Sequence, residues 1–463
     1  MNVVWLLAGV LVLLGTAPAT FAGEAPEHAP ETLLEFILSD HPVDAAASEL
    51  PHVEPHIATD PSSPQRLLAG SIVVAPESGG PWHCAALFSV DGGASWNRHD
   101  FAMDRCIDPW ALITAEGDFV LAAIDFQLDR PESEQFRLQV YRSSDRGETW
   151  SGPQDLGGQH DHELLIQEPG GDLVLVSRRL VRTGGGFPRH VIGLMRASGR
   201  PWHFEQVATL RPGNLAQTAT GLVRLSDGTL VVSYIDFQRN VDDFGQQGLL
   251  RQPRAWVVRA MDGGTRFSEP LFASEGCGAT DGFAGYPALA ADPTPGPYRD
   301  RLYHVCVRAD FDGLALSRSH DGGETWTEPL DILHSKSAAS RYARTPMLAV
   351  NREGVLAAAW YDRSDDPDRQ CQDTYVTYSA DGGDTFAPAV RVSTEQSCPN
   401  TPENGRVAQS WPMGGDYGSL TAAADGAFHL LWADSRTGRF QLRHASFRVH
   451  RRVTGSAPGP DQR

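Results

Sequence analysis

Residues able to move protons or hold charge recur at similar places along this 463-residue chain. Glu54 and His56, Arg105 and Asp108, the run "HDHE" from His160 to Glu163, Asp281, Arg341, Tyr342 and Arg344, then Trp411, Asp416 and Tyr417 stand at the entrance to short apolar stretches. A second set stands where the following apolar stretch ends: Asp125, Arg178 and Arg179, Asp236, Arg308 and Asp310, Asp362 and Arg363, Asp434 and Arg436. Carboxylates, histidines and tyrosines suit acid–base work, and arginines suit an electrostatic clamp on an anion. "HDHE" has three readings: a metal site, a polar loop, or acid–base and substrate contact. On an extended strand His160 and His162 share one face and Asp161 and Glu163 the other, which leaves two ligands per side.

Those residues need a frame, and the sequence repeats one. The turn "SHDGGETW" at 319–326 has near-copies "SVDGGASW" at 89–96, "SSDRGETW" at 143–150 and "SADGGDTF" at 379–386. Their aspartates are Asp91, Asp145, Asp321 and Asp381, and "AMDGGTRF" adds a weaker copy at Asp262. A step of about 58 residues places one concealed copy at "RASGRPWHF", which keeps Trp202, and one further unit at the strand "FQLRHASFRV". Each unit holds a short apolar strand, a turn, a second apolar strand, a third strand running into the repeated turn and a fourth leaving it. No helical period competes. The pattern predicts an all-β fold, a β-propeller of four-stranded antiparallel blades, with seven blades favoured and six the alternative.

In the repeated turn the Asp can accept backbone N–H groups, Gly supplies a positive φ and Trp or Phe covers the turn. It is therefore expected to hold the fold and to carry no chemistry. Loops entering the first strand and loops joining the second to the third share the other end of a propeller, so both sets of candidate residues converge there. The endings "WYDRSDD" and "WADSR" also read as ties between blades, through Asp362, Arg363, Asp434 and Arg436. The last unit shows three strands, and "TLLEFILSD" at residues 32–40 is expected to supply its fourth.

A net charge of −19 and a pI of about 5.2 argue against nucleic acid or an anionic membrane surface as partner. The first residues, "MNVVWLLAGVLVLLGTAPATFAG", read as an export signal: the apolar run from Val3 to Leu14 is short for a membrane span, and small residues follow it. The expected plan is a signal peptide at 1–22, an N-terminal segment at 23–50 able to close the last blade, the propeller at 51–450 and a disordered tail at 451–463. The mature chain is expected to be a secreted or periplasmic monomer with no cofactor and no membrane insertion. Six cysteines in an exported chain favour disulfides, and closeness in sequence pairs Cys84 with Cys106, Cys277 with Cys306 and Cys371 with Cys398.

The repeated turns match the form Ser-x-Asp-x-Gly-x-Thr-Trp, and over about residues 50–450 the chain resembles the sialidase-like superfamily of Asp-box, or BNR, propellers. That superfamily includes sialidases, other glycosidases, polysaccharide lyases and binding proteins without activity. "DYGSLTAAADGAFHLLW" looks like the late sialidase segment Tyr-Ser-x-Leu, with Tyr417 as the matching tyrosine, and "YARTPML" sets Arg344 where a carboxylate-binding arginine sits. The Arg-Ile-Pro of the first sialidase blade is replaced by "EPHIATDP", and "RLLAGSIVVAP" lacks the acid/base Asp.

The resemblance implies a sialidase-like exo-glycosidase acting on an anionic sugar or other anionic small molecule. Tyr417 is then the nucleophile, because a neutral phenol avoids the repulsion a carboxylate would meet beside a carboxylated sugar. Asp416 points to the opposite strand face, so its base comes from another blade, with Glu163 the choice. Arg344 holds the anion, and His56, Asp108, His162, Asp236 and Arg179 touch substrate. Two alternatives stay open: a polysaccharide lyase using His and Tyr, and a non-catalytic propeller binding a glycan or protein. N-terminal sequencing of the exported chain is expected to read from Thr20 or Gly23; a product still starting at Met1 counts against cleavage.

Overall fold

Short runs of Val, Leu, Ala and aromatic residues, each stopped by Gly- or Asp-bearing turns, form the strands of this protein. The computed structural model describes residues 32–43, 50–75, 82–103, 105–127, 129–181, 189–200, 202–210, 216–237, 254–275, 285–308, 311–333 and 342–451. Strand β1 is Thr32–Pro42. The first blade holds β2 (His52–Asp60), β3 (Ser63–Val74), β4 (Trp82–Ser89) and β5 (Asn97–Asp100), and the second β6 (Cys106–Ile113), β7 (Phe119–Asp125), β8 (Arg137–Ser143) and β9 (Ser151–Asp155). The third holds β10 (His160–Gln167), β11 (Leu173–Val181), β12 (Arg189–Ser198) and β13 (His203–Thr209). In the fourth, β14 (Ala216–Arg224), β15 (Leu230–Phe237), β16 (Arg254–Met261) and β17 (Arg266–Phe267) are joined by β18 (Leu271–Glu275), which also pairs with β16.

The fifth blade is β19 (Ala288–Ala291), β20 (Leu302–Val307), β21 (Leu314–Ser319) and β22 (Leu330–Asp331), and the sixth β23 (Ala343–Val350), β24 (Leu356–Asp362), β25 (Asp373–Ser379) and β26 (Val390–Arg391). A short helix, α1 (Gly405–Ser410), leads into β27 (Ser419–Ala422), β28 (Phe428–Asp434) and β29 (Gln441–Arg451). All seven sheets are antiparallel, and the seventh runs β27-β28-β29-β1. First strands touch the first strands of neighbouring blades, and β27 returns to β2. The fold is a seven-bladed β-propeller.

Burial follows this plan. Second strands are apolar and covered on both faces, as in the fully buried run from Phe119 to Ile124, while Trp360 and Trp432 fill the sixth and seventh blades. β1 alternates instead. Leu34 and Phe36 pack against the core beside Phe447 and Val449, while Leu33 and Ile37 are half exposed. At its end Asp40 is buried and accepts from Arg436 at 2.6 Å, Arg443 at 2.8 Å and the Thr394 N–H at 2.6 Å. Asp434 also holds Arg436, at 2.7 Å, so Asp434 and Arg436 tie β28 to β1 and to the sixth blade. Cys84–Cys106 joins the first two blades, and Cys371–Cys398 closes the segment before α1. Cys277 lies outside the described residues, as do residues 1–31 and 452–463. Among the described residues no helix is long and apolar enough to cross a membrane.

Each full copy of the repeated turn joins a third strand to a fourth and sets its Asp and Ser in the same hydrogen bonds, with an indole bond added where the last residue is Trp. In "SHDGGETW" Asp321 accepts from the Thr325 N–H at 2.9 Å and the Thr325 hydroxyl at 2.6 Å. The Gly323 N–H donates to Ser319 at 2.7 Å, and the Trp326 indole donates to the Gly323 carbonyl at 3.2 Å. Asp91, Asp145 and Asp381 repeat the pattern. The second glycine is required: Gly93 has φ 91°, and a Cβ there would stand 2.4 Å from the His444 ring of the seventh blade. The incomplete copies hold differently. Asp262 pairs with Arg266, and Trp202 is buried with Arg142 and Arg200 over its ring. Asp321→Ala removes an acceptor of several hydrogen bonds and is expected to lower stability by about 1–2 kcal/mol. A thermal melt checks this; an unchanged midpoint would show that the turn does not hold the fold.

Candidate functional site

First strands enter the ring at the end opposite the repeated turns, and four of them break register at the same step. The breaks lie between Val53 and His56 in β2, Ile107 and Trp110 in β6, Asp161 and Leu164 in β10, and Arg344 and Met347 in β23. At each one a non-glycine residue turns left-handed: Glu54 at φ 52°, Asp108 at 53°, His162 at 50° and Thr345 at 48°. Such a bulge frees one residue from the ladder and re-aims the side chains around it. Pro55, Pro109 and Pro346 follow three of the four, which suits a place without a ladder hydrogen bond. Tyr417 stands two residues before Ser419, the first paired residue of β27, the step that Glu54 holds before His56.

The bulges bring a small set of groups together. The Tyr417 hydroxyl points to Asp108 Oδ1 at 3.5 Å, and Asp108 Oδ2 accepts from the His162 N–H at 3.1 Å. The His162 ring lies 4.2 Å from Tyr286, which leads into β19, and 5.8 Å from Tyr417. Glu54 accepts from the Trp411 indole at 3.1 Å, and its N–H donates to the Gly414 carbonyl at 2.7 Å. The chain from Trp411 to Tyr417 wraps closely here, since a Cβ on Gly415 would come within 2.4 Å of Glu54 Cγ. Glu163 is 1% exposed, and among the described residues neither carboxylate oxygen has a hydrogen-bond partner.

Electrostatics set the protonation states. Burial, then the charges of Asp108 and Asp416, push the Glu54 carboxyl well above the usual range. Glu163 is raised likewise by burial, then by Asp108 and Glu54. Burial lifts the Tyr417 phenol, and Glu54, Asp108, Glu163 and Asp416 add to the lift. Burial lowers His162 against the pull of Asp108, so its imidazole is neutral. The cluster can thus hold carboxylic acids, a phenol and a neutral imidazole side by side, which is the equipment of acid–base catalysis.

Other candidate residues have separate places. His56 stacks on Trp110 at 3.8 Å, and its Nδ1 accepts from the Ala111 N–H at 3.1 Å. Burial lowers its pKa to about 3, so it ties two blades as a neutral ring. Arg344 donates to the Tyr342 hydroxyl at 2.7 Å and lies over Phe311 at 4.3 Å. Asp236 pairs with Arg254 at 2.9 Å, and Arg179 bonds Gln206. Asp281, Asp310 and Arg341 lie outside the described residues.

The reading of "HDHE" as an even alternation fails at the bulge. His160 turns to Ser177 at 2.8 Å and Asp161 to Arg178, while His162 and Glu163 join the cluster. Among the described residues no group of three or more His, Cys, Asp or Glu is placed to hold a metal ion. Glu54 and Tyr286 carry more of the site than their sequence neighbourhoods suggested. One signal for Glu54 was on the page: Glu54, Asp108 and His162 fall at an even step of 54. Tyr286 had none. A cleft of about 820 Å³ opens at the opposite end, among the repeated turns; its Arg196 and Arg259 are paired with Glu168 and Glu324, and it holds none of the cluster.

No family model and no curated protein matches the sequence. Solved structures resemble the fold. A polysaccharide lyase described as an ulvan lyase superposes with a TM-score of 0.50 at 12% identity, over 89% of this chain and 95% of that one. A Hadza microbial sialidase gives 0.47 at 16% identity, over 83% of this chain and 76% of that one. An α-L-arabinanase from Penicillium chrysogenum gives 0.44 at 16%, over 72% and 94%. At these identities the likeness is one of fold.

Glu163 supplies a test of the cluster's electrostatics. Its raised pKa means that its contribution to stability is complete below the ordinary carboxylate range and is lost as pH rises through the folded-state value. Glu163→Gln removes that loss. The variant is expected to melt at the wild-type temperature near pH 4 and to be more stable at pH 8, by about 1–3 kcal/mol. Paired melts across that range decide it, and a variant less stable at pH 8 would contradict the placement of Glu163 among like charges.

Proposed function

We propose that this protein is a glycan-active enzyme of the Asp-box propeller type, cleaving a glycosidic bond at the central cluster. The observation that supports the reading most directly is the Tyr417 hydroxyl set against Asp108 with the carboxyls of Glu54 and Glu163 beside it. Tyr417 is half-buried. In this reading Asp108 takes the phenolic proton as the Tyr417 oxygen meets the sugar carbon. That role passes to Asp108 from Glu163, because Asp108 is the carboxylate within reach of the hydroxyl. Glu163, or Glu54, enters the reaction protonated and gives its proton to the leaving oxygen. The bond from carbon to the leaving group breaks as that proton arrives; a water later attacks the same carbon and gives its proton to the now ionised acid, while Asp108 returns its proton to the departing Tyr417 oxygen. The lyase and sialidase folds likened above serve sugar cleavage in those proteins and agree with the reading.

Tyr417→Phe tests it. The substitution keeps the ring and removes the reacting oxygen, so turnover of a cleaved glycan is expected to fall by roughly 10²–10⁴-fold while the melting temperature stays within a degree or two. Released sugar from an arrayed glycan set, assayed for wild type and variant together, is the measurement. Retained turnover would remove Tyr417 from the chemistry, and binding without any release by wild type would make the protein a lectin-like propeller.

A further inference from the structure

The cluster is rich in carboxylates and open in hydrogen-bonding capacity, and the two facts together constrain what it can receive. Asp108 stands 3.5 Å from the Tyr417 hydroxyl, Glu54 packs on Gly415 two residues before Tyr417, and Glu163 follows His162, whose ring lies 5.8 Å from the Tyr417 ring, so acidic side chains from three blades gather near one hydroxyl. Glu163 is buried with both oxygens unpartnered among the described residues, and so is one oxygen of Glu54. Buried acceptors of that kind are satisfied by incoming O–H donors. Arg344 lies over the Phe311 and Tyr342 rings and donates to the Tyr342 hydroxyl.

An aromatic wall borders the same acids. Trp411, whose indole holds Glu54, meets Trp82 edge to face at 6.0 Å, and Trp82 lies 6.1 Å from Phe126. Trp82 and Trp411 are half-buried, and Arg105 covers one face of Trp82 at 5.2 Å. Tryptophan rings present a flat apolar face with a partly negative π-cloud. Such a surface takes the C–H face of a sugar ring.

Resting on the glycan-enzyme reading, we infer that the sugar bound in this centre is uncharged, with its ring against Trp411 and its hydroxyls donating to Glu163 and Glu54. A carboxylated sugar would place an anion in a buried space that already keeps Glu54 and Glu163 from ionising, and its carboxylate offers no donor. Trp411 then has two separable duties: its ring receives substrate, and its N–H positions Glu54.

The test uses the purified full chain with neutral xylo-, arabino- and cello-oligosaccharides against sialyllactose and oligogalacturonate, read by calorimetric binding and by released sugar. At least one neutral series is expected to bind ten-fold or more tighter than either carboxylated probe. Trp411→Ala is expected to weaken neutral binding about ten-fold, whereas Trp411→Phe keeps that affinity and shifts the pH profile through Glu54. Melts of both variants confirm folding. Glu163→Gln is expected to narrow the gap between the two classes, measured by binding alone. Carboxylated probes bound as tightly as neutral ones, neither class bound, or a folded Trp411→Ala variant with unchanged affinity would each overturn the inference. Neutral sugars bound but never cleaved would refute the enzyme reading and leave the inference standing. Carboxylated sugars preferred and cleaved would do the reverse.

Discussion

A regular strand sends consecutive side chains to opposite faces, so it cannot bring two neighbours into one space. The central cluster of this propeller depends on breaking that rule at one step of several first strands. At Glu54, Asp108, His162 and Thr345 the backbone is left-handed without glycine, a conformation that costs of order 1–3 kcal/mol per residue and persists only where surroundings enforce it. The enforcing contacts are visible. The Glu54 N–H is held by the Gly414 carbonyl, the His162 N–H by the Asp108 carboxylate, and Gly285 approaches Thr345 so closely that a Cβ would come within 2.4 Å of its Cα. One site residue thus stabilises the backbone of the next, and the geometry of each blade's contribution depends on its neighbour.

This dependence explains what could be read from the residues in order. Seven blades were legible because the repeated turn uses types with few substitutes. Asp must accept from the Thr325 backbone and hydroxyl, and a glycine at the place of Gly93 must leave room for His444. The end of the ring at which the cluster gathers was legible too, since Asp108, His162 and Glu163 lie in the opening residues of first strands and Tyr417 just before one. The pairings were less so. A bulge adds no distinctive composition, so "HDHE" reads as plain alternation, and only the structure separates His160 from His162. Arg344 shows the limit of placing a residue by resemblance: its strand position is inner, yet Tyr342 and Phe311, two residues before it and in a different loop, receive its guanidinium.

The same chain treats buried carboxylates in two opposite ways. Burial alone would raise Asp40, but hydrogen bonds from Arg436 and Thr394 and the charge of Arg443 outweigh it and hold its pKa low. Glu163 is also buried, has no such partners among the described residues and is pushed up by burial and by Asp108. The first arrangement stabilises the junction of β1 with the last blade, where a permanent charge is useful because it fixes two arginines. The second leaves an acid poised to exchange its proton, which no fold requires and which disfavours folding as pH rises.

Placement makes that contrast tolerable. Asp40 lies at the outer strand of the seventh blade, and the repeated turns sit at the end of the ring away from Tyr417, so the groups that hold the blades are apart from the groups that repel one another. Neither set constrains the protonation of the other: Asp321 is fixed by Ser319 and Thr325 within its own turn, and Glu163 responds to Asp108 and Glu54. A central region relieved of the task of holding the ring can keep unpaired acids, left-handed carboxylate residues and half-buried aromatic rings together. Each of these is a local liability in the folded chain, and each supplies something a sugar hydroxyl, a leaving oxygen or a sugar ring would meet on entering the channel.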